Sequence, residues 1–428
     1  MLVIYMKKVL VISFYWPPSG KASMHWPLKM VKHLPESGWQ PYVVTVKDDT
    51  FTSRDESSLH EVSPDVKVLR TNFLDPFTLY KKFLGKAPDQ PLVASEALSK
   101  TNKNLRHRLS LWIRMNLFIP DARAGWYPPA VREIGRLMKN EKFDAIITNG
   151  PPHTTHLIGK KLSKKFNIPL LSVFIDPWVD ISYYKGQKRS AITFAIDKKL
   201  ERAVMEQSSQ VVVVTETLRE YFVDKYPFLK DKIHVLYWGY NEDAFSGCNK
   251  TDSNEKVMLH AGNIYDFQNV PKFWKTLKAQ LDKGTIDKLR FIGTVGPAIK
   301  KSIEEAGISN KTEYMGFLSY PDAVKQMCNA KYLFVCATEP RHVPGKLFEY
   351  LRTGNPILAF GDDNQEVKKI LQETNAGMLF RYNDEVDEFF EKADSLHTNL
   401  DTVKQNFDRE IIAKKLSSIL NNIDKTQS

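Results

Sequence analysis

The strongest constraint on this 428-residue chain is an alternation that runs along nearly its whole length. Short, almost unbroken runs of Val, Ile, Leu and Phe are closed by turn residues and followed by helical stretches. An unbroken apolar run leaves no face for water. It fits a strand covered on both sides, and such strands alternating with helices fit a parallel sheet. In the first half the runs fall at 7–15, 41–46, 66–70, 144–148, 169–175, 210–214 and 233–237, with helices predicted over 128–140, 154–166 and 192–207. In the second they fall at 257–260, 289–293, 312–315, 332–336, 356–360 and 377–380, with helices over 270–281, 298–306, 321–329, 346–352 and 366–373. The expected fold class is α/β, as two doubly wound, Rossmann-like domains. The polar stretch 239–255 reads as the linker, which sets the domains at 1–245 and 246–428. The final residues of the chain read as a helix able to pack back on either domain. One segment, 75–119, breaks the alternation and reads as a helical insertion.

Charge is distributed unevenly over these halves. Lys and Arg outnumber Asp and Glu by 36 to 25 over residues 1–245 and equal them at 25 to 25 over 246–428, so the net charge of +11 sits on the first half. Two readings compete: an anionic partner (nucleic acid, acidic lipid or a phosphorylated substrate), or lysines that serve only solvation. Residues 105–118, LRHRLSLWIRMNLF, are basic and apolar together. They suit an acidic membrane surface, or a helix packed on its own domain with its arginines exposed. No nucleic-acid motif is present, so nucleic acid is not expected as a partner. Cys248, Cys328 and Cys336 lack metal-ligand spacing, and an odd count suits a reducing compartment. No run reaches the ~18 apolar residues of a membrane span. The opening MLVIYMKKVLVIS has no small-residue cleavage site, which argues against a signal peptide, and Met6 is an alternative start. A cytoplasmic location, at most peripheral on the inner face of the membrane, is expected.

In a doubly wound sheet, ligands bind beyond the C-terminal ends of the strands, where loops meet helix starts. After the first strand comes PPSGK, in which Gly20 permits close backbone approach and Lys21 carries charge. It is neither a dinucleotide fingerprint nor a P-loop. After 144–148 comes NGPPHTTH, with His153 and His156 three residues apart at a helix start; an imidazole pair for a ligand competes with a plain cap by Thr154. Asp176-Pro177-Trp178 follows 169–175. A carboxylate for hydroxyls and an indole for an apolar sugar face suit sugar recognition, against a simple cap by Asp176. The second half holds VPGKLFEYLRTGNP from Val343. Lys346 in a first helical turn opposes the helix dipole, which makes sense if an anion neutralises it there. Glu349 lies one turn on, on the same face. A cation for phosphate and an acid for ribose hydroxyls describe nucleotide recognition, and a surface Lys–Glu pair is the alternative. Gly262-Asn263 and Gly293 supply further close-approach loops.

These segments resemble the family 4-like glycosyltransferases, retaining enzymes of the GT-B fold. The likeness rests on FYWPPSG, on IPDARAGW at 119–126 and TNGPPHTTHLIGKKL, and on IDPWVD, HAGNIY at 260–265 and VPGKLFEYLRTGNPIL. It implies two Rossmann-like domains facing across a cleft, the second binding a nucleotide-diphosphate sugar and the first an acceptor. By that resemblance Lys346 meets the diphosphate, Glu349 the ribose, Gly20 the donor phosphates, and His153 or His156 the transferred sugar. The donor is then expected on Gly20, Gly262, Asn263, Gly293, Arg341, Pro344, Gly345, Lys346, Leu347 and Glu349. The acceptor is expected on Lys21, His156 and Trp178, with His153, Asp176 and Lys346 catalytic. No metal and no cofactor beyond the donor substrate is expected. The sequence departs from the family where a glutamate often precedes the ribose-binding one by eight residues: Arg341 stands there, which leaves the sugar-facing acid unassigned. The expected function is retaining glycosyl transfer to a glycan or lipid-linked saccharide in surface polysaccharide synthesis. The alternatives are a nucleotide-sugar epimerase, or a non-catalytic protein that binds nucleotide sugar or a membrane surface.

Overall fold

The computed structural model describes residues 6–75, 112–113, 115–181, 189–248 and 255–423. Most of the insertion predicted over 75–119 lies outside them. The chain forms two compact units. The first comprises residues up to Val214, Leu218–Leu236 and the chain from Ala413; the second comprises Thr215–Thr217 and Tyr237–Ile412.

The first unit holds a seven-stranded sheet of β1 (Lys7–Ser13), β2 (Trp39–Val46), β3 (Lys67–Thr71), β4 (Ala145–Gly150), β5 (Leu170–Phe174), β6 (Gln210–Val213) and β7 (Ile233–Val235). The order is β3-β2-β1-β4-β5-β6-β7 and every pairing is parallel. Strands β4, β5 and β6 are buried at every residue, as their unbroken apolar runs predict. The helices are α1 (His25–His33), α2 (Tyr127–Asn140), α3 (Thr154–Phe166), α4 (Ala191–Gln207) and α5 (Glu216–Lys225). Order reverses between β1 and β4, the switch point where a doubly wound sheet opens a crevice at its C-terminal edge.

The second unit has a six-stranded sheet, order β10-β9-β8-β11-β12-β13, again with parallel pairings. Its strands are β8 (Val257–Ala261), β9 (Lys288–Ile292), β10 (Thr312–Tyr314), β11 (Tyr332–Cys336), β12 (Ile357–Phe360) and β13 (Gly377–Phe380). Its helices are α6 (Pro271–Asp282), α7 (Pro297–Glu305), α8 (Tyr320–Asn329), α9 (Gly345–Thr353), α10 (Gln365–Glu373), α11 (Asp387–Lys392) and α12 (Leu400–Phe407). The last helix, α13 (Arg409–Asn421), passes from the second grouping to the first at Ala413, and Asn421 accepts a 2.9 Å hydrogen bond from the Trp39 indole.

The stretch expected as a bare linker is anchored. Tyr240 and Phe245 are buried in the second unit's core, and the Tyr240 N–H donates to the Phe407 carbonyl at 2.9 Å. Gly239 has a φ of +65°, and a Cβ there would stand 2.5 Å from the same carbonyl. The chain therefore divides before Tyr237, not at 245. Cys248 and Cys328 form a disulfide across 80 residues, which departs from the reading of three reduced cysteines, and Cys336 is free and buried. Closing so long a loop restricts the unfolded chain. Reduction, or Cys328→Ser, is expected to lower the unit's stability by about 2–4 kcal/mol. The check is the thermal midpoint with and without reductant, and an unchanged midpoint contradicts it.

Candidate active site

In the second unit the site grows from the ends of β8 and β9. Gly262 and Gly293 turn the chain with φ of +92° and +97°, values that favour glycine. A Cβ on Gly293 would stand 2.9 Å from the Gly262 carbonyl carbon, so these loops pack backbone on backbone. The Gly262 N–H donates to the Ile292 carbonyl at 2.8 Å, and the Asn263 amide oxygen accepts from the Thr294 N–H at 3.0 Å. Gly293 and Asn263, expected to touch the donor, thus spend their distinctive chemistry on joining the two loops.

Helix α9 starts after Pro344 with no side-chain cap. The N–H groups of Gly345 and Lys346 have no intrahelical partner, while that of Leu347 donates to the Pro344 carbonyl at 2.9 Å. Leu347 itself is fully buried in the core, which corrects its expected place among the donor ligands. Gly345 lies against Trp238, 3.3 Å from where its Cβ would be.

The Lys346 side chain crosses to the end of β8. Its Nζ is 3.3 Å from His260 Nε2, and a Cβ on Gly262 would stand 2.9 Å from it. Burial holds His260 well below the usual histidine range, so the ring is neutral and takes the ammonium proton on Nε2. Burial also pushes the Lys346 ammonium down to about 8, against the opposing pull of Cys336 and Glu349. Lys346 is therefore a mostly protonated cation whose nearest partner carries no charge. Glu349 is one turn on, accepts a 2.9 Å hydrogen bond from Tyr320, and is pushed upward by burial. Arg341 forms an ion pair with Glu339 at 3.3 Å, which answers part of the charge expected to reach a phosphate. His260 and Tyr320, which orient the two expected residues, were not among the sequence candidates; only their positions at the end of β8 and start of α8 signalled them.

In the first unit the candidates follow β1, β4 and β5. The N–H of Gly20 donates to the Ser53 carbonyl at 2.8 Å, and a Cβ there would stand 2.5 Å from Ser53 Oγ. Its small size serves contact with the 53–54 loop, and its N–H, expected near the donor phosphates, is bonded within the chain. Lys21 is exposed beside it.

His153 and His156 sit at the start of α3, which is held not by Thr154 but by Asp121 from the IPDARAGW segment. Its carboxylate accepts from the Thr154 N–H and hydroxyl, both at 2.9 Å. A directional chain then fixes the His156 tautomer. Ser208 donates to the Val204 carbonyl, so Ser172 donates to Ser208; Thr148 donates to Ser172, which leaves His156 Nδ1 as donor to Thr148 at 2.8 Å. The ring stacks on Phe174 at 4.2 Å and is fully buried, with its bare Nε2 against Gly150. His156 is thus a core histidine, not an acceptor ligand. Trp178 is corrected likewise: it is 1 % exposed, donates to Asp197 at 3.1 Å, and lies parallel to the His153 ring at 4.9 Å. No face of it is open to a sugar.

His153 remains. Burial pushes it down to about 3, so it is neutral, and neither ring nitrogen has a protein partner. Both amide atoms of buried Asn149, four residues before it on β4, are also without a partner, as are the indole nitrogen of Trp16 and the hydroxyl of Ser19 beyond β1. Buried polar groups of this kind are few in native proteins and call for a bound partner. Asn149 is the residue that sequence reasoning passed over. Asp176, half-buried at the end of β5, completes this edge.

Comparisons with known proteins fit both halves. Residues 90–244 match the glycosyltransferase family 4 domain and residues 255–399 match the glycosyl transferases group 1 domain. The chain belongs to the family 4-like glycosyltransferases. No curated protein sequence matches it. This glycosyltransferase is similar in fold to HepE from Anabaena, solved in complex with UDP, with a TM-score of 0.62 at 14 % identity over 97 % of this chain and 100 % of that one. A glycosyltransferase from Rickettsia africae gives 0.62 at 15 % identity over 98 % and 99 %. Sucrose-phosphate synthase from Thermosynechococcus elongatus gives 0.61 at 14 % over 98 % and 99 %. The fold is GT-B, with its two parallel sheets.

Proposed function

We propose that this glycosyltransferase takes a sugar from a nucleotide-diphosphate donor bound by the second unit. It passes the sugar, with retention of configuration, to a hydroxyl of a glycan or lipid-linked saccharide in surface polysaccharide synthesis. The observation that carries this reading is Lys346: a half-buried cation against a neutral ring, at an uncapped helix start, with Glu349 one turn away. The hydrogen-bonding partner of Lys346, the His260 ring, carries no charge, so a diphosphate is its fitting partner. HepE, of similar fold, was solved with UDP and with UDP-glucose, which supports a nucleotide-sugar donor.

In the proposed step the bond from the sugar's anomeric carbon to the diphosphate breaks and its electron pair goes to the phosphate oxygen. Lys346 and the N–H groups of Gly345 and Lys346 hold the charge that develops there. The acceptor hydroxyl attacks from the same face, and its proton goes to that oxygen. On the first unit, His153 and Asn149 serve as neutral hydrogen-bonding groups for hydroxyls of a saccharide bound by that unit. The test is a thermal-shift survey of nucleotide sugars, followed by NMR of the product's anomeric proton. An inverted product contradicts retention.

Charge on Lys346 also sets a pH dependence. The ordinary lysine value of 10.5 is lowered to about 8, so the cation is present below that pH and lost above it. The terminal phosphate of UDP, with a pKa near ~6, does not change charge there. UDP affinity measured by calorimetry is expected to hold steady between pH ~7 and ~8 and to fall toward tenfold per unit above it. A profile flat for a full unit above that value contradicts the assignment.

A further inference from the structure

Trp178 is closed to a sugar, which leaves its indole without the task expected of it. What the ring touches supplies another. It lies parallel to the His153 ring, with 2° between the planes and 4.9 Å between the centroids. The N–H and the lone pair of a neutral imidazole both lie in the plane of the ring. Whatever fixes that plane therefore fixes the directions in which His153 can hydrogen-bond. The backbone beside it is fixed separately, since the Asp121 carboxylate accepts from the Thr154 N–H and hydroxyl.

Trp178 is itself held by α4. Its indole N–H donates to Asp197 at 3.1 Å, and the next N–H along, that of Val179, donates to Glu201 at 3.1 Å. The two acids stand one turn apart on α4, and both are 0 % exposed. Each has a cation: Arg189 pairs with Asp197, and Lys225 with Glu201 at 2.6 Å. Burying such charges has a desolvation cost that an apolar helix face would avoid. What an apolar face does not provide is direction: it packs an indole without fixing its N–H, whereas a carboxylate steadied by Arg189 accepts from one place. We propose that Asp197 is a positioning residue, which through the Trp178 indole sets the plane of the His153 ring. The inference rests on the reading of His153 as a ligand for saccharide hydroxyls.

The test reads the ring itself, by NMR of the full chain with 13C-labelled histidines. The His153 signals are those that vanish in His153→Gln, and the indole face shifts them upfield. The variant Asp197→Leu/Arg189→Met replaces the ion pair by apolar side chains, so its thermal midpoint should not fall. Its His153 signals are expected to move, while those of His260 in the second unit stay. Saccharide binding is read by saturation transfer to methyl β-glucoside, methyl β-galactoside and methyl α-mannoside. Affinity should drop about tenfold in the Leu/Met variant, the loss of one hydrogen bond. Asp197→Asn/Arg189→Gln keeps an oxygen for the indole and should retain both the signals and the affinity. Three results overturn the proposal. One is a folded Leu/Met variant with unmoved His153 signals. Another is an equal change in both double variants, which would mean that the pair serves packing and not the indole. The last is a Leu/Met variant that does not fold, since the pair would then be holding the unit together. Undiminished saccharide binding in His153→Gln, or none in the unsubstituted protein, overturns the saccharide reading instead, and the ring signals keep the two failures apart.

Discussion

Lys346→Ala is expected to weaken UDP binding by about 10- to 100-fold. A hydrogen bond to a charged group contributes roughly 1.5–3 kcal/mol, and here the ammonium's hydrogen-bonding partner is an uncharged ring. The fold should survive, since the Nζ bonds only to the His260 ring at 3.3 Å and the core positions Leu347 and Phe348 are untouched. Losing the ammonium also removes the pH step near 8, so affinity and its pH profile should change together. Lys346→Arg keeps a charge at all pH values and should flatten the profile, although its longer side chain does not fit the short span to Gly262. Calorimetry on the three proteins reads all of this. Unaltered affinity in Lys346→Ala with a folded protein contradicts the phosphate role.

Gly150→Ala is expected to destabilise the first unit strongly. The new Cβ would stand 2.3 Å from His156 Nε2, and the ring cannot retreat. It is stacked on Phe174 and tied through Nδ1 to the chain Thr148–Ser172–Ser208. Overpacking of this kind costs about 1–3 kcal/mol, which for a unit of this size lowers the thermal midpoint by roughly 2–12 °C. The cause is checked by coupling. In Gly150→Ala/His156→Ala the ring is gone, so the second substitution should add less than its own separate cost. Strict additivity of the two would mean that the glycine serves something other than the histidine.

The two substitutions mark where the sequence was readable. Short runs rich in apolar residues and closed by turn residues located the described strands, and for β11 and β13 the ends coincide with the predicted ones. Lys346 and Glu349 stood out because a lysine in a first turn contradicts the dipole and needs a reason, and the structure puts the two one turn apart at the start of α9. The loop contacts of Gly20, Gly293 and Asn263 were not legible, because a glycine or amide that admits a phosphate looks the same as one that admits another loop. Only the neighbour tells them apart, and those neighbours (Ser53, Gly262 and Thr294) each lie about thirty residues off in sequence. His156 and Trp178 misled because a polar ring at a strand end faces either a ligand or the core, and their hydrogen bonds to Thr148 and Asp197 satisfy them internally. Asn149 went unseen, since an unsatisfied amide is visible only once its surroundings are known. The anchoring of 239–248 was hidden for another reason: few apolar residues carry it, and the rest is a disulfide and a backbone bond to Phe407.

The central claim is that the start of α9 is a diphosphate site. A crystal structure of the protein grown with UDP tests it most directly. The account predicts both phosphates against the N–H groups of Gly345 and Lys346 and the Lys346 ammonium, with the ribose hydroxyls on Glu349. An ordered nucleotide elsewhere on the second unit, with Lys346 still bonded only to His260, would contradict it.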